Sequence, residues 1–250
     1  LGIITRDKFY AKLGSVSGYA LLCNESIQKI MDDAPLSVDC HTPIDVVSKL
    51  AMGRSPGDVY DSIIVTEQGR YFGIVTVKDV LEKYTEMEIS YARSLNSLTR
   101  MPGNALIENK LNAYLQTRSS FAVSFVDIDD FRSFNHQYGF AWGDKLIQFL
   151  AGIITDCVEH EFTDQAFVGH EGADNFVIIT NALCPRRFER IFERIFSQYQ
   201  KEIPSFYKTG DAQGASLKPY EKPSISTLSI MCIICKPNSF HSLHELNEQI

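Results

Sequence analysis

Val168-Gly169-His170-Glu171-Gly172-Ala173-Asp174-Asn175-Phe176 is a polar, glycine-bearing stretch set between two apolar runs. Residues 165–169 lie on one side and residues 175–180, reading Asn-Phe-Val-Ile-Ile-Thr, on the other. Two short runs rich in β-branched and aromatic residues across such a turn read as a β-hairpin with Asp174 in its tip. Upstream, residues 121–128 form another strand, rich in Val and Phe, that ends in Asp127-Ile128-Asp129-Asp130. Between them, residues 142–158 make an amphipathic helix with Leu146, Ile147, Leu150, Ile153 and Ile154 as its buried stripe. Residues 105–115 and 186–202 are helical too, the latter with Phe188, Ile191, Phe192, Ile195 and Tyr199 as a core stripe. Residues 204–223 read as a polar loop, 224–235 as a long central strand, and 244–250 as the start of a helix. Helices and strands alternate without the period of a parallel sheet, so the class is α+β: an antiparallel-rich sheet covered by helices.

Carboxylates at the end of a strand suit Mg²⁺ held against phosphates. If strand 121–128 neighbours the hairpin, Asp127 and Asp174 share one cation; if it does not, they are solvated turn acids. Spacing leaves both readings open.

The first third of the chain is organised differently. Residues 25–83 read as one unit: a short helix at 26–32, and a second opened by Pro43-Ile44-Asp45 with Val46, Val47 and Leu50 on one face. The strands Ser62-Ile63-Ile64-Val65-Thr66 and Tyr71-Phe72-Gly73-Ile74-Val75-Thr76 are joined by the turn Glu67-Gln68-Gly69-Arg70, and a helix begins near Val77. Gly2-Ile3-Ile4-Thr5-Arg6-Asp7 echoes Gly73-Ile74-Val75-Thr76-Val77-Lys78-Asp79, which makes the opening residues the tail of an equivalent unit. A chain opening on Leu1-Gly2-Ile3-Ile4 reads as a fragment of a longer protein. Residues 80–98 carry Leu81, Tyr84, Met87, Tyr91 and Leu95 at helical spacing, until Met101-Pro102-Gly103-Asn104 stops the run. The expected division is a segment at 1–83, a connecting helix at 84–98, and a second domain at 99–250 cut short at its C-terminus.

The net charge of −7 is spread along the chain. The one basic cluster, Pro185-Arg186-Arg187, is interleaved with Glu189 and Glu193 and reads as a solvated helix face, so neither nucleic acid nor membrane insertion is expected. No run approaches the roughly 20 apolar residues of a membrane span, and no leader is visible. Of the six cysteines, Cys232 and Cys235 have metal-ligand spacing, but positions three apart on a strand face opposite sides, so they read as core. Reduced cysteines fit a cytoplasmic protein. His241 and His244 lack a third ligand and read as exposed.

Four ordered stretches resemble the GGDEF domains of bacterial cyclic di-GMP signalling. Gly172 to Phe176 occupies the signature; Leu98-Thr99-Arg100-Met101-Pro102-Gly103-Asn104 is similar to the family's LTGLPN; Val126-Asp127-Ile128-Asp129-Asp130-Phe131 is similar to its metal-binding strand end. Asn135, with Tyr138-Gly139-Phe140-Ala141-Trp142-Gly143-Asp144, resembles its guanine-reading stretch. The resemblance implies a nucleotidyl-cyclase-like fold and a diguanylate cyclase or an inactive relative. Carried over by position, Asp127, the Ile128 carbonyl and Asp174 would hold Mg²⁺ or Mn²⁺, and Asn135 and Asp144 would read guanine. Asp174 and Asn175 fall at the catalytic positions of the signature.

The departures point to a degenerate site. Asn175 stands at a normally acidic position and can neither neutralise cations nor take a proton, a loss that typically costs about 10²–10⁴ in rate. Ala173 replaces a turn glycine, costing roughly 1–2 kcal/mol if φ is positive there. Arg100 replaces the glycine of LTGLPN. Thr163-Asp164-Gln165-Ala166 stands where the family's RxxD product-binding motif would begin, so feedback by cyclic di-GMP is not expected, and the chain stops before the family's C-terminal Lys/Arg pair.

The earlier segment resembles CBS domains, in α/β style, which bind adenine nucleotides. Gly73 through Asp79 is similar to G-h-h-T-x-x-D, implying Thr76 and Asp79 as ribose and phosphate ligands; Lys8 stands where the Asp of the first copy would fall. The order CBS then GGDEF looks like proteins with an upstream EAL phosphodiesterase domain. The expected function is therefore a regulatory module that binds GTP without efficient turnover, as a homodimer beside an EAL domain. The alternatives are a weakly active diguanylate cyclase and a structural dimerisation unit.

Overall fold

The computed structural model describes residues 1–15, 18–22, 24–181, 183–212, 226–240 and 242–247. The chain divides into two compact units, Leu1–Tyr91 and Ala92–Ile250.

In the first unit, α1 (Arg6–Leu13), α2 (Gly18–Leu22) and a 3₁₀ turn (Ile27–Lys29) precede β1 (Ser37–Asp39), α3 (Ile44–Met52), β2 (Ile63–Glu67), β3 (Arg70–Val75) and α4 (Val77–Arg93). The sheet runs β1-β2-β3, with β1 parallel and β3 antiparallel to β2. Gln68 and Gly69 both have positive φ, 50° and 75°, as a two-residue hairpin turn requires when its twist matches the strands. Val38, Val47, Ala51, Ile63, Val77 and Val80 form the core. The two echoing stretches both cap helices. Thr76 accepts the Asp79 N–H (3.1 Å) and donates to its carboxylate (2.7 Å), and Thr5 accepts the Lys8 N–H at 3.4 Å. The T-x-x-D spelling is thus a capping pair in the structure, while Lys8 pairs with Asp58 and Asp61.

In the second unit, α5 (Asn104–Thr117), β4 (Phe121–Ile128), α6 (Phe131–Tyr138) and α7 (Phe140–Phe162) lead to β5 (Ala166–Gly172) and β6 (Asn175–Thr180), then α8 (Pro185–Ala212), β7 (Leu228–Cys235) and α9 (Leu243–Asn247). The sheet order is β5-β6-β4-β7, every pairing antiparallel. Alternate residues face opposite layers. Ala122, Val126, Phe176 and Ile178 pack with Leu146, Leu150 and Ile154 of α7 and Ile191, Ile195 and Tyr199 of α8. Phe121, Val123, Val177 and Ile179 pack with Ile107 and Leu111 of α5 and Leu246 of α9. Each such side chain contributes about 1.5–3 kcal/mol by leaving water. This is the expected α+β architecture.

Several sequence expectations change. The helix expected at 80–98 begins at Val77 and stops at Arg93, because the Asn96 side chain accepts the N–H groups of Leu98 (2.9 Å) and Thr99 (3.2 Å) and folds the chain into a turn. The loop expected from 204 is helical to Ala212, with Pro204 inside α8; proline removes one helix hydrogen bond without barring the residues after it. The rest of that expected loop, 213–223, lies outside the described residues, as does His241. The strand expected to be central is the edge strand β7, apolar but for Ser229 and partly exposed at Met231 and Ile234. Arg187 and Arg190 both pair with Glu161 of α7, Arg190 at 2.6 Å, and Arg187 also lies 4.7 Å over the Phe162 ring. That corner therefore joins two helices instead of presenting a free face. Cys232 and Cys235 sit in opposite layers. Among the described residues, no helix is long and apolar enough to cross a membrane.

Candidate functional site

β4 and β6 are hydrogen-bonded neighbours, with Val126 opposite Phe176. That register brings Asp127, one residue further along β4, to the side of Asp174, two residues before Phe176. Partial burial and then the adjoining Asp127 carboxylate push the Asp174 carboxyl up to about 6, against the opposing pull of the Asp174 and Ile128 backbone N–H groups. Two carboxylates that crowd one another hold a proton between them, because both cannot ionise cheaply at short range. A divalent cation relieves the same repulsion, and an all-oxygen donor set suits Mg²⁺ or Mn²⁺. The residues present fit such an ion.

The pair opens into a cavity of about 970 Å³ lined by Asp127, Asp174, Asn135, Gly139, Phe140 and Asn175, among others. Asn135 stands on α6 with its amide oxygen buried and without a hydrogen-bond partner. Gly143 of α7 approaches so closely that a Cβ there would lie 1.8 Å from that oxygen. Asp144, the next residue, is exposed on α7 and is not among the residues lining the cavity. Asn175 is exposed at the rim and contributes a neutral amide where an acid would add charge.

Asp129 has a different role from Asp127. Its carboxylate accepts hydrogen bonds from the hydroxyls of Thr227 and Ser229, the latter at 2.6 Å, and its N–H donates to the Thr227 carbonyl at 2.9 Å. It fastens the end of β4 to the start of β7. Asp130 follows in the left-handed region (φ 57°) and begins α6, a helix the sequence did not announce. That helix puts Asn135 beside the carboxylate pair.

The hairpin tip is held from below. Ala173 has φ 48° and Arg100 has φ 60°, so both residues standing in for family glycines adopt the left-handed backbone. His170, 1% exposed, stacks on Phe176 with ring centroids 4.5 Å apart. Its Nε2 lies 3.0 Å from the Ala173 carbonyl and its Nδ1 lies 3.0 Å from the Thr99 hydroxyl. A carbonyl can only accept, so Nε2 carries the proton and Nδ1 accepts from Thr99. Burial pushes the His170 imidazole below its ordinary value, with the Ala173 carbonyl opposing. In the sequence His170 stands out only as one member of the polar stretch between two apolar runs.

Residues 94–217 match the family model described as diguanylate cyclase, GGDEF domain, and residues 27–86 match that of the CBS domain. The chain carries a GGDEF domain. The chain is similar to the probable diguanylate cyclase DgcE of Escherichia coli, at 34% identity across 44% of this chain and 11% of that protein. It is also similar to the signaling protein YkoW of Bacillus subtilis, at 28% identity across 48% of this chain and 17% of that protein. The chain thus spans only a small part of these relatives. Among solved structures, the coiled coil and GGDEF domain of DgcB from Caulobacter crescentus, in complex with c-di-GMP, superposes with a TM-score of 0.51. It shares 18% identity and is covered to 83%, with 68% of this chain, a likeness of fold. The hairpin expected around residues 165–180 is present as β5 and β6, with Ala173 and Asp174 at its turn. In the CBS domain, Thr76 and Asp79 cap α4 and are exposed.

Proposed function

We propose that the GGDEF domain is a GTP-binding regulatory module with little turnover. Asp127, the Ile128 carbonyl and Asp174 would hold Mg²⁺ or Mn²⁺, and Asn135 and Asp144 would read guanine. The ion would neutralise phosphate charge; the chain's own part is to orient the nucleotide in the cavity beside Asn135. The observation that carries this reading is the crowded carboxylate pair opening beside the unpartnered Asn135 oxygen, while the neighbouring acid is replaced by Asn175. Nucleotide bound there would bias a neighbouring domain only to the extent that it prefers one state of the protein. In the full-length protein we infer that neighbour to be an EAL phosphodiesterase, with the module acting as a cytoplasmic homodimer in cyclic di-GMP signalling. An adenine nucleotide would contact the exposed Thr76 and Asp79 of the CBS domain. The division at 1–83, 84–98 and 99–250 remains part of this reading.

The likeness to a probable diguanylate cyclase favours a second reading, a slow cyclase acting as a dimer. Titration calorimetry with GTP and Mg²⁺, followed by a product assay, separates the readings. The module predicts micromolar binding that Asp174→Asn removes, with no cyclic di-GMP formed. Product formation supports the cyclase, and absence of any guanine nucleotide binding supports a structural domain.

A further inference from the structure

Asp39 ends β1, and the next two residues of the chain are Cys40 and His41. One oxygen, one sulfur and one nitrogen from these three residues all lie within 4.8 Å of one another. Asp39 Oδ1 is 2.9 Å from His41 Nδ1, Cys40 Sγ is 3.3 Å from the same nitrogen, and Cys40 Sγ is 3.9 Å from Asp39 Oδ1. Ligands held tetrahedrally at about 2.0–2.3 Å from one ion stand roughly 3.3–3.6 Å apart. The three observed edges bracket that spacing, so shifts of a few tenths of an ångström complete one face of a tetrahedron.

We propose that Asp39, Cys40 and His41 bind a divalent transition ion of the Zn²⁺ type, with the fourth position open to solvent. The donor set decides the class of ion: thiolate and imidazole exclude Mg²⁺ and Ca²⁺ and select borderline-soft metals. The backbone beneath the site is pinned. Asp39 pairs with Thr66 across the sheet, the Cys40 N–H donates to the Thr66 carbonyl at 2.8 Å, and the Thr42 N–H returns to the Asp39 carbonyl at 2.9 Å. Asp39 Oδ1 also accepts the His41 N–H at 3.0 Å, which fixes the turn that presents the ring. Such a turn accounts for Asp39 and His41 in ordinary structural terms, but not for the thiol facing both. On binding, the ion takes Cys40 as the thiolate and the thiol proton leaves for the buffer. The His41 side chain is 85% exposed, so ions reach the site directly.

The test uses the full chain, reduced and freed of metal. Titration with Co²⁺ should produce a thiolate-to-cobalt charge-transfer band saturating at one ion per chain, and Zn²⁺ should displace it. His41→Ala and Cys40→Ser should each weaken Zn²⁺ binding by at least about 10-fold, since even groups one step removed from a metal are worth about 10–100-fold. Cys184→Ser, at an exposed cysteine of the other unit, should leave it unchanged. No charge-transfer band in the unaltered chain, or a band that persists in Cys40→Ser, overturns the site. None of these readouts depends on GTP, so failure here and failure of the nucleotide reading are separate results.

Discussion

Gly143 stands so close to Asn135 that a single methyl group added to it would lie 1.8 Å from the amide oxygen. The two residues sit on successive helices, and their contact sets how far Asn135 reaches toward the carboxylate pair. Gly143→Ala should therefore displace Asn135 and lower GTP affinity at least tenfold in calorimetry. Mg²⁺-dependent effects on Asp174 should persist. Unchanged GTP affinity would show that Asn135 does not read the base.

Asp174 has a folded-state pKa raised from 3.8 to about 6. A raised carboxyl means the folded chain binds more protons than the unfolded chain between those values. Its contribution therefore disfavours the folded state above pH 6, and that penalty fades as pH falls toward 4. Compared with Asp174→Asn, the unaltered chain should lose melting temperature as pH rises from 5 to 7.5. Mg²⁺ should restore it, more at pH 7.5 than at pH 5.5. Equal pH profiles for the two proteins would rule out the carboxylate pair as drawn.

Ala173 and Arg100 hold left-handed backbones that cost residues with a Cβ roughly 1 kcal/mol each. Ala173→Gly and Arg100→Gly should each raise the midpoint of the second unit by about 2–4 °C. Trp142, the only tryptophan, gives a fluorescence signal specific to that unit. A lowered midpoint would mean that the side chains contribute more than the strain removes.

His170→Phe keeps the ring on Phe176 but leaves the Thr99 hydroxyl and the Ala173 carbonyl without their partner. The expected loss is about 1–3 kcal/mol in urea unfolding followed through Trp142. The folded-state imidazole is depressed, so its contribution is present above the ordinary value near 6.5 and is lost below it, as pH falls through the lower folded-state value. The Phe variant should lack that acid-side decline. A variant as stable as the parent would show that the bridge between the two segments contributes nothing.

Much of this site was legible in the sequence because its parts lie on long periodic elements. The strand at residues 121–128 and the hairpin strand at 175–180 match β4 and β6 residue for residue, and their pairing brings Asp127 and Asp174 side by side. The parts that escaped notice depend on short-range polar geometry. Asn96 ends α4 by a side-chain turn, and Asp129 spends its carboxylate on Thr227 and Ser229, not on the cavity. Neither choice leaves a trace in hydrophobic period. β7 looked central because its residues are nearly all apolar, although only the lattice of strands decides which one lies at the edge. Asp39-Cys40-His41 has no paired-cysteine spacing, and only the turn after β1 brings its three donors together.

The Asp129–Thr227 tether joins residues separated by 98 positions. A ribosome adding about 5–20 residues per second delivers the second partner roughly 5–20 s after the first. Through that interval the strand bearing Asp127 can pair with the hairpin but has no neighbour on its other side. The nascent GGDEF domain thus spends many seconds with a naked apolar strand edge, which is where chaperone engagement or misassembly would occur, before β7 arrives to close the sheet.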